Sequence, residues 1–258
     1  MTTPSEPAWD ASRLQDPHTA PDKRRRVQQM FTAIAGSYDL NNRLHSLGLD
    51  QYWRRQVVQL SEVTPNDHIV DVACGTGDLT LQFVEALKTT PNAALGQVVG
   101  LDFTYAMLPF ARQKASGKAA GMTPLWLNGD ALALPLPDAC CDIVSIAFGI
   151  RNVQNVAAAL AEFRRILRPG GRLMILEFSE PEHRIIRWLN HIYCHRIMPL
   201  TATWISRDKS GAYRYLPKSI ETFIPREGMK QLMASAGFTD IRLTPMTFGV
   251  CVCYRGLR

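Results

Sequence analysis

The residues best placed to do chemistry in this chain of 258 residues are a glycine-rich turn and the acids around it. An apolar run, Ile69-Val70-Asp71-Val72, leads into Cys74-Gly75-Thr76-Gly77-Asp78, and apolar residues then follow at helical spacing. A strand, a glycine turn and a helix in this order begin a nucleotide-binding α/β domain. Gly75 and Gly77 lack a Cβ, so their backbone can approach a ligand closely, and the following helix offers free N–H groups. We therefore expect a cofactor site at this turn.

The identity of the cofactor depends on departures from the dinucleotide-binding fingerprint Gly-x-Gly-x-x-Gly. Thr80 stands where the third glycine is required, which disfavours NAD. The acid before the turn, Asp71, and a second acid at the end of the next predicted strand, Asp102, instead resemble the pattern of S-adenosylmethionine (SAM) methyltransferases. In those enzymes the second acid binds the ribose hydroxyls. The resemblance implies that SAM is the cofactor.

Further polar residues follow later predicted strands, at the edge where open α/β sheets bind ligands. Asp130 either takes the adenine amino group or caps a turn. Arg151 is a cation beside the site of a positively charged sulfonium, which indicates an anionic or ionisable acceptor, with a surface salt bridge as the alternative. Glu177 follows on the next strand and either serves as a base or orients Arg151.

Strands and helices of similar length must alternate to place these residues together. We predict strands at 97–102, 124–127, 142–148 and 172–178, helices at 104–116 and 155–167, a turn at 168–171, and a final hairpin of strands at 239–245 and 249–254. Alternation of this kind requires parallel pairing. The predicted fold is therefore α/β, a Rossmann-like class I SAM-dependent methyltransferase fold with a mostly parallel seven-stranded sheet and helices on both faces.

Segments outside this alternation have other roles. Residues 1–21 contain four prolines and are predicted to be disordered, which leaves 22–258 as the methyltransferase domain. An apolar stripe from Val27 to Tyr38 predicts an amphipathic helix, either packed on the domain or lying on a membrane surface. Residues 179–225 form a basic, aromatic-rich insertion, which we predict to be a substrate lid.

Composition limits the class of protein. Apolar residues make up 46% of the chain without any run long enough to span a membrane, and the first 20 residues lack the apolar centre of a signal peptide, so we expect a cytoplasmic protein. The six cysteines lack paired zinc spacing, and His191 and His195 have no evident further ligands, so no metal site is predicted. Residues 183–242 contain ten basic and four acidic residues, a patch suited to nucleic acid, an anionic membrane or an acidic substrate.

Three stretches, one before the glycine turn and two after it, are similar to motifs of the C-methyltransferase family of menaquinone and ubiquinone biosynthesis. They are Tyr38-Asp-Leu-Asn-Asn42-Arg-Leu-His-Ser46 with Trp53, Phe148-Gly-Ile-Arg-Asn152, and Arg165-Ile-Leu-Arg-Pro-Gly-Gly-Arg-Leu-Met-Ile-Leu-Glu-Phe-Ser179. The similarity extends from about Val27 to the C-terminus. By this resemblance Thr76, Asp102, Asp130 and Ala131 fall at SAM-binding positions. Ala147 replaces a serine that contacts SAM in the family, which removes one hydrogen bond worth roughly 0.5–1.5 kcal/mol.

The resemblance implies SAM-dependent C-methylation of a polyprenylated quinol ring. We expect demethylmenaquinol as the substrate, with the polyprenyl-methoxy-benzoquinol of ubiquinone biosynthesis as the alternative. Only the reduced, preferably ionised, ring carbon is nucleophilic enough to attack the sulfonium methyl group. Arg151 is predicted to stabilise the phenolate, and Tyr38 is predicted to relay the proton directly or through a water.

The resemblance also bears on partners. The lipid tail of the substrate and the basic segment predict transient contact with a membrane surface, at the inner face of the cytoplasmic membrane. A homodimer is left open. An RNA or protein methyltransferase would fit the basic charge of the chain. The sequence, however, lacks an Asn-Pro-Pro-Tyr motif and a Pro-Cys nucleophile motif, so nucleic acid is not an expected partner. A SAM-binding scaffold of a quinone-synthesis complex is the non-enzymatic alternative.

Overall fold

The structure is a computed structural model that describes residues 9, 14, 17–89, 96–117, 122–197 and 211–258. Its strands are β1 (His68–Val72), β2 (Gln97–Asp102), β3 (Leu125–Asn128), β4 (Cys141–Ala147), β5 (Leu167–Phe178), β6 (Thr239–Met246) and β7 (Cys251–Leu257). Its α-helices are α1 (Lys23–Ile34), α2 (Tyr38–His45), α3 (Leu49–Leu60), α4 (Asp78–Thr89), α5 (Leu108–Ser116), α6 (Val156–Ile166), α7 (Arg184–Ile192), α8 (Ala212–Glu221) and α9 (Arg226–Ser235).

The described strands form one seven-stranded sheet in the order β3-β2-β1-β4-β5-β7-β6. The first five strands pair in parallel, and β7 is antiparallel to both β5 and β6. This arrangement confirms the predicted mostly parallel sheet with a C-terminal antiparallel hairpin. The carboxyl ends of β1, β2 and β4 consequently meet at one edge, where ligands bind in open α/β sheets.

Central strands are buried on both faces because helices cover each side of the sheet. One core cluster contains Val70, Val144 and Phe163, and a second contains Ile69, Phe83 and Ile143. Neighbouring residues of β1 and β4 therefore point into opposite clusters. This two-sided burial explains why these strands are nearly continuous apolar runs in the sequence.

The predicted boundaries differ from the observed ones at two places. The predicted helix at 104–116 begins as a 3₁₀ turn, Tyr105–Met107, and continues as α5 with a proline in its first turn. The predicted turn at 168–171 is part of β5, but its four residues are skipped by the pairing, which jumps from Leu167 to Arg172 opposite β4.

The N-terminal segment also differs from its prediction. Most of residues 1–16 lie outside the described residues, but Trp9 is buried and its ring stacks on that of Tyr215 at 4.5 Å between centroids. His18 contacts the carbonyl of Ser219 at 2.9 Å. The described part of the stretch predicted to be disordered is therefore attached to α8, because an aromatic side chain supplies the apolar contact that the composition lacks.

Helix α1 takes the packed alternative. Its apolar stripe, Val27, Met30 and Ile34, is buried and clusters with Trp9 and Tyr215. Lys23 at its start is also buried, and its ammonium donates to the carbonyl of Val153 at 2.7 Å. The apolar face of α1 is thus covered by protein. Among the described residues, none of the helices combines the length and apolar character needed to cross a bilayer.

Candidate active site

The glycine turn after β1 has a backbone that other residues adopt only with strain. Ala73, Gly75 and Gly77 have φ angles of 53°, 56° and 83°, in the left-handed region that favours glycine. A Cβ added to Gly77 would lie 2.5 Å from the ring of Trp126, which packs over the turn from β3. The two glycines therefore permit both the backbone path and the close packing of β3.

A cleft opens above this turn at the carboxyl ends of β1, β2 and β4. We call it the cofactor cleft, and among its lining residues are Gly75, Asp102, Asp130, Ala131 and Ala147. Five of the eight residues predicted to bind the cofactor are thus brought together. Apolar side chains of Leu101, Phe103 and Leu132 complete its walls. A carboxylate at the end of β2 beside an apolar slot fits a ribose diol and an adenine ring, the two ends of an adenosyl group.

Asp102 holds the glycine turn as well as facing the cleft. Its Oδ2 accepts a hydrogen bond from the N–H of Gly75 and its Oδ1 accepts one from the N–H of Thr104, both at 2.7 Å. Burial raises the pKa of Asp102 to about 6, although these two backbone donors act in the opposite direction. The carboxylate therefore fixes the distance between the turn and β2, and its remaining lone pairs face the cleft.

Asp130 caps a turn, which is one of the two roles open from the sequence, and it also lines the cofactor cleft. Its Oδ1 accepts from the N–H of Leu132 at 3.0 Å, the geometry of a turn cap, and the residue lines the cofactor cleft. Its Oδ2 lies 2.9 Å from the guanidinium of Arg24. Arg24 also lies 4.6 Å over the ring of Phe103, so α1 covers one side of the cleft.

Asp71, Thr76 and Gly77, which are also predicted to bind the cofactor, are not among the residues that line the cleft. Both carboxylate oxygens of Asp71 accept hydroxyl hydrogen bonds inside the core, from Thr80 at 2.6 Å and Ser145 at 2.7 Å. Burial raises the pKa of Asp71 to about 6. Its side chain is engaged in joining β1, α4 and β4, which is a positioning role that a single sequence does not distinguish from cofactor binding.

Thr76 faces a charged network that joins α2, α4 and α5. Its hydroxyl donates to Asp39 at 2.5 Å and accepts from the ammonium of Lys114 at 3.1 Å. Lys114 also pairs with Asp39 at 2.7 Å and with Asp78 at 2.6 Å. Burial opposes ionisation of Asp78, but the charges of Arg54, Lys114 and Arg43 prevail and lower its pKa to about 2. The network therefore ties the N-terminal helices to the start of α4.

A second and larger cavity of about 470 Å³ adjoins the cofactor cleft. This volume falls within the range of about 300–1,000 Å³ that is usual for small-molecule sites. Its walls come from α1, α2, α3 and the segment after β5, and include Met30, Trp53, Trp188, Tyr215 and Ile220. We call it the large cavity. Aromatic and aliphatic side chains dominate these walls, which suits a hydrophobic ligand.

Arg151 lines the large cavity and is paired inside the protein. Its Nη1 donates to Glu177 at 2.6 Å and to the carbonyl of Phe148 at 2.8 Å, and the two charged side chains are 6% and 2% exposed. The surface salt bridge considered from sequence is therefore a buried one. Its Nε is buried without a hydrogen-bond partner among the described residues, so the guanidinium retains N–H donors beyond those the protein uses. Burial raises the pKa of Glu177, against the effect of the Arg151 charge.

Tyr38 lies where the two cavities meet. Tyr38, Phe31 and Phe148 line both the cofactor cleft and the large cavity, and the Tyr38 ring lies 3.7 Å from the place of a Cβ on Gly75. We call these three side chains the aromatic junction. Burial raises the pKa of Tyr38, so its hydroxyl stays protonated and can donate a hydrogen bond. Arg151 and Tyr38, the two predicted catalytic residues, thus face the same cavity.

Several residues of the site were not predicted. Trp53, which enters the sequence analysis only as part of a family-like stretch, lines the large cavity and donates from Nε1 to Thr247 at 2.8 Å. Arg54 lies 5.3 Å over the ring of Phe148 and pairs with the buried Asp50 at 2.7 Å. Arg24 belongs to the basic run Lys23-Arg24-Arg25-Arg26, which in the sequence resembles the solvent-exposed start of a helix. Their side chains become recognisable as site residues only when α1 and α3 are placed against the sheet.

Metal ligands do not converge in the part of the chain that the structure describes. No group of three or more His, Cys, Asp or Glu side chains there has the arrangement of a metal site.

Comparison with known proteins places this site in a family. The model of the ubiE/COQ5 methyltransferase family matches residues 19–258. A demethylmenaquinone methyltransferase from Thermus thermophilus is 45% identical over 229 residues, which cover 89% of this chain and all of that protein. The ubiquinone/menaquinone biosynthesis C-methyltransferase UbiE from Geobacter sulfurreducens is 40% identical, over 91% of this chain and 89% of its own length.

The solved structures extend the comparison to the fold alone. A SAM-dependent methyltransferase from Thermotoga maritima, described as a possible histamine N-methyltransferase, has a TM-score of 0.59 at 20% identity and covers 89% of this chain and 98% of its own. The shared architecture is the Rossmann-like methyltransferase fold that the glycine turn predicts.

Proposed function

The chain belongs to the ubiE/COQ5 methyltransferase family, and from this premise we propose that it methylates a ring carbon of demethylmenaquinol. Membership makes it a SAM-dependent C-methyltransferase of quinone biosynthesis. The naphthoquinol is preferred because the relative at 45% identity is named for demethylmenaquinone. The benzoquinol of ubiquinone biosynthesis is the second candidate, since the relative at 40% identity is named for both pathways.

One observation carries the proposal: the cofactor cleft and the large cavity share the aromatic junction of Phe31, Tyr38 and Phe148. A sulfonium methyl group held above the glycine turn can reach a ring in the large cavity only across this junction. Methyl transfer is an in-line displacement, so its rate depends on holding the ring carbon and the methyl group in line. The flat aromatic walls are suited to orienting a planar quinol ring.

The chemistry assigned to the site is balanced by the loss of one proton. A quinol hydroxyl loses its proton, the adjacent ring carbon forms a bond to the methyl group, and the carbon–sulfur bond breaks with its electron pair left on sulfur. The ring carbon then loses its hydrogen as a proton and the oxygen regains one, which restores the aromatic quinol, so one proton is released for each methyl group transferred. When bound, SAM supplies the methyl group and the positive charge that makes it electrophilic.

We assign the charge-stabilising step to Arg151. Its guanidinium faces the large cavity with a buried Nε that has no partner among the described residues, so it has a donor for a developing phenolate oxygen. A hydrogen bond to an ionised group in a buried site is stronger than one between neutral groups. Glu177 holds the guanidinium at this position through a contact of 2.6 Å.

Tyr38 is assigned to the relay of the phenolic proton, as a donor and acceptor that stays protonated. Its raised pKa makes a stable tyrosinate unfavourable, so it passes a proton only in concert with a second group or a water. For the cofactor we assign Asp102 to the ribose hydroxyls, Asp130 and Ala131 to the adenine end, and Ala147 and the backbone of Gly75, Thr76 and Gly77 to the remaining contacts.

The segment 179–225 is proposed to be the substrate lid of the domain formed by 22–258. Pro181, Trp188, Tyr193 and Ile220 from this segment line the large cavity. Residues 198–210 within it lie outside the described residues. A polyprenyl tail would leave the cavity along this segment, and we propose contact with the membrane surface there.

The direct test is methyl transfer by purified protein with SAM labelled in its methyl group. Short-tailed demethylmenaquinone would be supplied in its reduced and oxidised forms, beside the corresponding methoxy-benzoquinol, and the products analysed by mass spectrometry. We expect label in the naphthoquinol ring only when it is reduced. If the benzoquinol is methylated with a higher kcat/KM, it replaces the naphthoquinol as the substrate. If neither ring is labelled, the proposal is refuted.

A further inference from the structure

Helix α7 presents an apolar face to solvent. Ile185, Trp188 and Leu189 have the spacing of one helix face and are 63%, 61% and 53% exposed. No residue of this helix is buried. Trp188 also lines the large cavity, so the cavity opens to the surface beside this face.

Two other elements expose apolar side chains around the same opening. Leu44 and Leu47, at the end of α2, are 43% and 81% exposed, and Phe248, in the turn between β6 and β7, is 78% exposed. The hydroxyl of Tyr193 donates to the carbonyl of His45 at 2.9 Å and thereby joins the end of α7 to the end of α2. The β6–β7 turn is joined to the wall of the cavity by the bond between Trp53 and Thr247. We call these six side chains the apolar rim: Leu44, Leu47, Ile185, Trp188, Leu189 and Phe248.

Two members of the apolar rim are held in a backbone conformation that their residue types disfavour. Leu47 and Phe248 have φ angles of 52° and 55°. Glycine or asparagine would adopt this conformation at a lower cost and would not expose apolar surface. Both residues therefore expose apolar surface at positions where glycine or asparagine would be less strained, a pattern that indicates a contact outside the chain.

The charge around the rim is positive. Between residues 183 and 197 the sequence contains three arginines and no Asp or Glu. Arg184, Arg187 and Arg196 are exposed. The nearest preceding acids are paired, Glu180 with Arg187 at 3.9 Å and Glu182 with Arg226 at 2.6 Å. An apolar helix face flanked by arginines is the pattern of a helix that lies in the surface of an anionic bilayer.

We propose that the apolar rim docks onto a bilayer containing anionic phospholipid, with the opening of the large cavity facing the lipid. This inference rests on the proposed function, because it places the lipid tail of the quinol in the membrane while the ring is in the cavity. A second copy of the chain is the less suitable occupant. A two-fold interface on this face would bring the same arginines of both copies together and would close the cavity opening.

The test measures binding to vesicles and methyl transfer on the same protein samples. Vesicles of phosphatidylcholine with an equal part of phosphatidylglycerol are compared with vesicles of phosphatidylcholine alone, by co-sedimentation. The double variant Ile185→Ser, Leu189→Ser removes two rim residues that do not line the large cavity. The matched control is Tyr105→Ser, Leu125→Ser, at residues that are 59% and 48% exposed and lie outside the rim, after β2 and at the start of β3.

We expect the unchanged protein and the control to bind the anionic vesicles, and the rim variant to bind at least about tenfold more weakly, because burial of each side chain in the bilayer is lost. All three should methylate a short-tailed, water-soluble demethylmenaquinol equally. Lipid with brominated acyl chains should quench part of the tryptophan fluorescence of the unchanged protein, and this quenching should be lost in Trp188→Phe.

Equal vesicle binding by the rim variant and the unchanged protein would overturn the proposal. So would a failure of the unchanged protein to bind anionic vesicles while it methylates the short-tailed quinol normally, or a dimer in solution that the rim substitutions convert to a monomer. Vesicle binding without methylation of any quinol would instead refute the proposed function and leave the docking surface intact.

Discussion

Two buried aspartates at the ends of neighbouring strands have the same predicted role and different observed surroundings. Asp71 and Asp102 both have a pKa raised to about 6 by burial. The carboxylate of Asp71 is occupied by the hydroxyls of Thr80 and Ser145, whereas that of Asp102 accepts from backbone N–H groups and also lines the cofactor cleft. The carboxylate that lines the cleft is thus distinguished from the one enclosed in the core by tertiary contacts, which a sequence spacing does not contain.

The raised pKa of Asp102 predicts that SAM binding weakens in acid. Ribose hydroxyls donate to the ionised carboxylate, so SAM must displace a proton from Asp102 at pH values below about 6. One linked proton gives a loss of affinity of about tenfold between pH 7.5 and pH 5, measured by isothermal titration calorimetry. Asp102→Asn should bind SAM more weakly at every pH and with no such slope.

Acid unfolding does not account for this loss, because the sign of the stability effect is opposite. The folded pKa of Asp102 lies above the unfolded value of about 4, so its contribution to the free energy of unfolding is full below that value and declines as the pH rises through about 6. Circular dichroism at each pH provides the control. A flat affinity profile, or an unchanged slope in Asp102→Asn, would contradict the assignment.

The buried pair of Arg151 and Glu177 predicts that stability and catalysis can be separated. Glu177→Gln leaves the guanidinium without its counter-charge and should lower the free energy of unfolding by about 3–5 kcal/mol. The double variant Arg151→Met, Glu177→Met removes both charges and should be nearly as stable as the unchanged protein. Its kcat should fall by about 10²–10³, because the phenolate loses its donor.

Denaturant unfolding measures the free energy of unfolding, and steady-state kinetics measure kcat. SAM affinity is the control and should be unchanged, because Arg151 lines the large cavity and is not among the residues that line the cofactor cleft. A double variant with normal kcat would remove Arg151 from the mechanism. A double variant that fails to fold would show that the pair is required for the structure itself, and Arg151→Lys would then test the donor.

At the scale of elements, the glycine turn depends on a strand that is distant in sequence. Gly77 and Gly100 both face the ring of Trp126, which lies so close that an added Cβ would be within 2.5 Å and 2.6 Å of it. The ring is therefore held over β2 and the start of α4 together. The geometry of the cofactor cleft is fixed by this packing as much as by the local backbone of the turn.

Substitution of Gly77 by alanine is expected to cost more than backbone strain alone. Gly77 has φ +83° and Gly170 has φ +79°, but a Cβ on Gly170 would have nothing within 4 Å. Gly170→Ala should therefore lower the free energy of unfolding by about 1–2 kcal/mol with normal SAM affinity. Gly77→Ala should cost about 1–3 kcal/mol more and weaken SAM binding.

Combining Gly77→Ala with Trp126→Leu tests the cause of the additional loss. If the ring is responsible, the smaller side chain should recover part of the lost free energy of unfolding, as measured by urea titration. Equal effects of Gly77→Ala and Gly170→Ala would show that the ring adjusts freely, and that the packing argument is wrong.

The elements that could be predicted are those whose signal is local. The strands around β1, β2 and β4 appear as apolar runs in the sequence. The predicted turn at residues 168–171 coincides with the interruption of strand pairing between Leu167 and Arg172. The side of the cofactor cleft that α1 covers could not be predicted in the same way, because Arg24 forms an ion pair with Asp130, which is more than 100 residues away in the sequence. The burial of Lys23 likewise depends on the carbonyl of Val153.

In the molecule as a whole, two cavities meet at the aromatic junction. Sequence comparison supplies the family and the reaction, and the structure supplies the relation between the sites. Trp188 of the apolar rim lines the large cavity, and the proposed docking would bring the lipid substrate to this cavity from the membrane. Neither the junction nor the rim is a motif, since each is assembled from segments that lie far apart in the chain.

The central claim is that SAM in the cofactor cleft delivers its methyl group across the aromatic junction to a ring in the large cavity. A crystal structure of the protein with SAM tests it most directly. We predict that the ribose hydroxyls contact Asp102 and that the methyl group points between Phe31, Tyr38 and Phe148 toward Arg151. A methyl group that points away from the large cavity, or a ribose bound at a distance from Asp102, would contradict the account.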